Sequence, residues 1–163
     1  MVEIAAYEVS EHIGEVELRQ YPALRVATVS GLPDDGAFRI LFKYISGGNR
    51  TKQNIAMTAP VLSDATTMAF VLPPRFSTEE VPEPRDTRVR IQEILPRTVA
   101  VIRFKGYADE ESVAEVKTRL FSALKTSGSE TIGEPFLMRY NAPFTPGFLR
   151  RNEVGIEVKR EKA

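Results

Sequence analysis

Alternation of apolar and polar residues dominates the first thirty positions. Val16, Leu18 and Gln20 alternate with Glu17, Arg19 and Tyr21, the period of two that a half-buried strand requires. Residues 5–10, 15–21 and 24–30 therefore read as strands, with Tyr21-Pro22 as the turn between the last two. Gly31 to Gly36 is loop chemistry, and Asp34 or Asp35 is placed to cap a helix over about 37–46. Gly47-Gly48-Asn49 stops that helix. Strands over 55–63 and 67–72 follow, joined by Asp64-Ala65-Thr66; Pro60 has no amide hydrogen to donate and marks a bulge or an edge in the first.

Residues 73–88 (PPRFSTEEVPEPRDTR) are rich in Pro and charge and read as a connecting loop. After them the pattern restarts. Strands are expected over 89–95 and 98–105, a helix over about 109–125 ended by Ser127-Gly128-Ser129, and strands over 135–141 and 153–159. VELRQYPALRVATVSG and VRIQEILPRTVAVIRFKG share the order strand, Pro, Val-Ala strand, Gly, and MTAP after the first helix is echoed by MRYNAP after the second. Two readings fit: an internal duplication, or chance agreement between two ordinary β-Pro-β hairpins. Under duplication, pseudo-repeats of about 14–73 and 88–160 are joined by loop 73–88 within one domain spanning 1–163. The expected fold is α+β: a strand–helix–strand–strand repeat forming a strongly curved antiparallel sheet (a distorted β-barrel) flanked by two α-helices.

The two helices differ in their apolar pattern. In the second, Val113, Val116, Leu120 and Leu124 form one inner stripe. In the first, AFRILFKYIS, apolar side chains surround most of the circumference, where a surface helix normally buries a stripe of about 100° or somewhat more. Its cations, Arg39 and Lys43, are four apart and share one face, flanked by Phe38 and Phe42 and by Ile40 and Tyr44. One reading is a well-buried helix whose cations reach back to water. The other is an aromatic strip with cations at its edge, suited to a planar hydrophobic molecule carrying carboxylates.

Composition narrows the chemistry. Lys+Arg and Asp+Glu each count 22, so no broad attraction to nucleic acid is expected. There is no Cys, which excludes disulfides, thiolate metal sites and a Cys nucleophile. His12 is the single histidine and lies in a polar stretch near the N-terminus, so a Ser-His-Asp set or a zinc site lacks its usual ligands. No phosphate-binding Gly-rich loop opens a helix. No secretory signal or bilayer-length apolar run is present, and the expected location is the cytoplasm.

Five segments taken in order resemble the SOUL family of haem-binding proteins: YEVSEHIGEVELRQYPALRVATV, FRILFKYISGGNRTKQNIAMTAPV, MAFVLPPRFSTEEVPEPRDTRVRI, VAVIRFKGYADEESV and FLMRYNAPFTPGFLRRNEVGIEV. The resemblance implies a tetrapyrrole bound in an apolar groove beside the first helix, with basic residues near its propionates. It places Arg39, Lys43 and the basic pair Arg150-Arg151 of FLRRNEV near the propionates, the pair alternatively capping or flanking the last strand; the helix pattern adds Phe38 and Phe42, and Met57 and Phe144 either meet the ligand or pack the core. Phe144 stands where relatives often carry Trp. This chain has no histidine matching the axial ligand assigned in some members, so ligation is expected to be weak or absent, with Met57 and Tyr44 as the candidate iron ligands. The function so implied is carriage or buffering of haem or a related porphyrin, without catalysis. The alternative is a small-molecule hydrolase or effector-binding module on the same scaffold, using one desolvated Glu beside Tyr44 or Tyr140; no carboxylate stands out for it.

Overall fold

The computed structural model describes residues 3–141 and 145–159. Along them run β1 (Glu3–Ile4), β2 (Glu8–Ile13), β3 (Val16–Tyr21), β4 (Leu24–Ser30), α1 (Asp34–Ile45), β5 (Thr58–Ser63), β6 (Thr67–Val71), β7 (Arg90–Ile94), β8 (Arg97–Lys105), α2 (Glu110–Ser127), β9 (Thr131–Arg139) and β10 (Arg151–Val158). The class is α+β with antiparallel pairing throughout, except that β1 lies parallel to β5.

These elements form two compact units, each assembled from separated stretches. Of the described residues, the first takes those up to Ala5 and Ala23–Leu95; the second takes Ala6–Pro22 and those from Pro96 on. In the first unit the strands run β5-β6-β4-β7, with β1 against β5. In the second they run β2-β3-β8-β10-β9. Each unit therefore places the strand that precedes its helix beside the second strand that follows it. Among the described residues the strand order closes on itself in neither unit, so the expected antiparallel α+β sheet is present in an open form.

In the first unit α1 covers one sheet face, where Ala27, Val29, Met68 and Phe70 meet Ala37, Leu41, Tyr44 and Ile45. The other face is covered too: Val26, Thr28, Ala69 and Val71 are also buried. In the second unit α2 buries Val116, Leu120 and Leu124 against Ala100, Ile102, Val154 and Ile156. A fully buried Leu or Ile contributes roughly 1.5–3 kcal/mol, so each stripe contributes several kcal/mol to its unit.

The helix ends show where local chemistry decides. Asp109 caps α2 by accepting from the Ser112 amide at 2.8 Å, and Gly128, at φ 75°, closes the other end with its amide on the Leu124 and Lys125 carbonyls. The α1 start differs from the capping expected of Asp34 or Asp35. The cap position is Pro33, whose fixed φ of −59° leads into the helix and whose carbonyl accepts from Ala37 at 3.0 Å. Asp34 and Asp35 lie in the first turn, where their charge complements the helix dipole. Pro60 follows a cis peptide at a register slip between Thr58 and Val61, the bulge its missing amide calls for. The 73–88 segment is packed as well as connecting. A short 3-10 turn at Pro74–Ser77 buries Phe76 in the first unit's core, and the Tyr44 hydroxyl donates to the Pro82 carbonyl at 2.6 Å.

Candidate functional site

Four residues of α1, Ala37, Leu41, Tyr44 and Ile45, account for its inner stripe, the spacing i, i+4, i+7, i+8 of one helical face. The apolar excess beyond that stripe lies in Phe38, Ile40 and Phe42. Phe38 is half-buried and meets Phe70 edge-on, with centroids 5.2 Å apart. Its other side stacks on Phe42 at 6.1 Å and 14°. Phe42 is 52% exposed. A row of rings thus runs from the core to the surface and ends on a ring half open to solvent. Arg39 and Lys43, both exposed, stand beside it on the same helix.

The turn after α1 holds Lys43 in place. The Gly48 amide donates to the Lys43 carbonyl at 2.9 Å, and a Cβ on Gly48 would lie 2.5 Å from that carbonyl oxygen, so glycine is required there. Asn49 is fully buried; its side-chain amide donates to the Tyr44 and Gln53 carbonyls while its oxygen accepts from the Gln53 amide. The Gly-Gly-Asn motif is therefore a structural clamp. Near Lys43 the carboxyl of Asp86 is held down at about 2, chiefly by hydrogen bonds from Arg88, with the Lys43 charge contributing.

The remaining expected residues are distributed as follows. Met57 is half-buried against the core of the first unit. Tyr44 is buried with its hydroxyl on Pro82, and burial pushes that hydroxyl up to about 12. Both are engaged in packing. Arg150 belongs to the second unit, where its Nε donates to the Thr145 carbonyl at 2.7 Å and its guanidinium lies 4.7 Å from the Tyr107 ring centre. Phe144 lies outside the described residues. Phe38, Arg39, Phe42 and Lys43 are the members that α1 brings together.

The second unit contains a cluster that strand alternation had concealed. Arg19 of β3 and Glu153 of β10 are both fully buried and form a bidentate pair, with both N–O distances at 2.7 Å. The Tyr140 hydroxyl donates to Glu153 at 2.5 Å, and Arg151 and Arg103 approach the other carboxylate oxygen at 3.0 and 3.5 Å. Burial pushes the Glu153 carboxyl up, but hydrogen bonds from Arg19 and Tyr140 outweigh it and leave the group below its ordinary value. Burial and then the Glu153 charge push the Tyr140 hydroxyl well above its ordinary value. The sequence marked this site only through FLRRNEV, in which Glu153 closes the polar run Arg150-Arg151-Asn152-Glu153.

Glu153 beside Tyr140 is the pairing that hydrolysis would require. Its electrostatics are opposed to that role. A general base works best with a pKa near the operating pH, whereas Glu153 is held as a weakly basic carboxylate and Tyr140 keeps its proton. Among the described residues, no group of three or more His, Cys, Asp or Glu is arranged to hold a metal ion, and no helix is long and apolar enough to cross a membrane.

Heme-binding protein 1 of Bos taurus is 28% identical over 148 residues, covering 82% of this chain and 76% of the relative. Heme-binding protein 2 of Homo sapiens is 30% identical over 165 residues, covering 91% of this chain and 80% of the relative. The crystal structure of a hydrolase from Listeria innocua superposes with a TM-score of 0.63 at 13% identity, covering 89% of this chain and 92% of that one. At that identity the likeness concerns the fold alone. The model of the SOUL heme-binding protein family matches residues 2–157, and the chain belongs to that family.

Proposed function

We propose that the chain binds haem or a related tetrapyrrole against the aromatic end of α1 and carries or buffers it. The observation that carries this reading is the Phe70–Phe38–Phe42 row, which ends in a half-exposed ring beside two exposed cations. A porphyrin presents the complementary surface: an apolar plane for Phe42 and propionates for Arg39 and Lys43. Covering a few hundred Å2 of macrocycle at ~25 cal/mol per Å2 supplies several kcal/mol before association costs. Partly exposed ion pairs add about 0–1 kcal/mol each. Affinity in the micromolar range follows, set by the ring and its carboxylates more than by the iron. Met57 and Tyr44 are engaged in packing, which favours weak axial ligation or none.

The test is titration of the purified chain with haemin and with metal-free protoporphyrin, read by the Soret band and by porphyrin fluorescence. Saturable one-to-one binding of both, with dissociation constants within about tenfold of each other, supports the reading. Haemin binding with no binding of the metal-free ring would transfer the affinity to an iron ligand and refute it.

A further inference from the structure

Arg19 has no exposed surface, and its guanidinium is met on every side. Nη1 and Nη2 donate to the two Glu153 oxygens at 2.7 Å, Nη1 also to the Tyr21 hydroxyl at 3.0 Å, and Nε to Glu17 at 2.9 Å. Its Cζ lies 4.0 Å from the centre of the Tyr7 ring. A carboxylate offering two oxygens, a hydroxyl acceptor and an aromatic face are the groups by which a planar delocalised cation is recognised. The surroundings are also braced independently of Arg19. Tyr140 and Arg151 hold Glu153, Arg151 reaches the Tyr7 hydroxyl at 3.2 Å, and Tyr7 packs on Tyr21 at 5.3 Å.

We propose that this cluster is a binding site for a planar organic cation of the guanidinium class, which the chain keeps filled with its own Arg19. Arg19 is then a specificity-determining residue, because it bars such cations in solution from the second unit. A tethered occupant competes at an effective concentration of order mM or higher, and here it is also fully buried, so free cations cannot displace it. The proposal is independent of the tetrapyrrole reading, and its test involves no porphyrin.

The experiment compares the full chain, Arg19→Ala, and Arg19→Ala combined with Glu153→Gln. Thermal unfolding is followed in millimolar ethylguanidinium, with ethylurea as the neutral isostere. Arg19→Ala is expected to melt roughly 10 °C or more below the parent, because removing one partner leaves a buried charge poorly compensated. Ethylguanidinium then raises its melting point saturably, by roughly 5–10 °C at concentrations well above its Kd. Ethylurea does not, and neither the parent nor the double variant responds to either compound. Should Arg19→Ala be unfolded in buffer, ethylguanidinium is expected to restore its far-ultraviolet circular dichroism and a cooperative melt. No saturable recovery in either case, equal recovery with ethylurea, or equal recovery in the double variant would overturn the proposal.

Discussion

Phe42→Ser separates ligand binding from folding. Phe42 is 52% exposed, so about half of the roughly 200 Å2 of a phenylalanine remains available to a ligand. Covering that ~100 Å2 at ~25 cal/mol per Å2 is worth about 2.5 kcal/mol, an upper limit of roughly 60-fold in Kd. The protein itself loses the stacked contact with Phe38, worth about 0.5–1.5 kcal/mol, and should keep a cooperative melt. The control is Phe121→Ser, a 41% exposed phenylalanine on α2. Titration of the parent and both variants with haemin and protoporphyrin should show at least tenfold weakening for Phe42→Ser and less than twofold for Phe121→Ser. Unchanged affinity in a folded Phe42→Ser, or equal weakening in both, would show that the α1 ring does not face the ligand.

Three further outcomes follow from the same geometry. Lys43→Glu should weaken haemin binding roughly three- to tenfold at low salt, and the difference should shrink in about 0.5 M NaCl, because a rim charge is screened; a salt-independent loss would point to misfolding instead. Gly48→Ala forces a Cβ to 2.5 Å from the Lys43 carbonyl oxygen, so the turn after α1 must shift; a drop in melting temperature of several degrees is expected, and an unchanged melt would refute the clamp. Glu153 has a carboxyl held below its ordinary value in the folded chain, so its stabilisation is present above the unfolded value of about 4.3 and is lost as pH falls through the folded one. Glu153→Gln should therefore melt well below the parent at pH 7, by about 3–5 kcal/mol of stability, yet show a flatter dependence of melting temperature below about pH 4; parallel profiles would remove Glu153 from the acid response.

Much of the chain's organisation was legible in its residues because the relevant physics is local. The Val116, Leu120, Leu124 stripe, the Gly128 terminator and the bulge at Pro60 each depend on a few neighbouring side chains and backbone angles. The same holds for the apolar excess of AFRILFKYIS, whose outer members proved to be Phe38, Ile40 and Phe42. The family was legible too, through MTAPV and FLRRNEV, and its model spans residues 2–157. Loop 73–88 was read correctly as a connection but not as packing, because burial of Phe76 depends on a core built by distant strands.

What tertiary structure alone decided is which polar positions have no access to water. In β3, Arg19 alternates with apolar residues and satisfies the period-two pattern as though it faced solvent. It is nonetheless fully buried, and its guanidinium meets Glu153, 134 positions away on β10, across the intervening strand β8. Alternation reports that two faces of a strand differ; it carries no information about what covers the second one. Which side chains share the face of Arg19 depends on strand order, which brings β3, β8 and β10 side by side from separate stretches of chain. The exposed end of α1 and the filled interior of the second unit therefore have different origins, one in local helical periodicity and the other in contacts made across most of the chain.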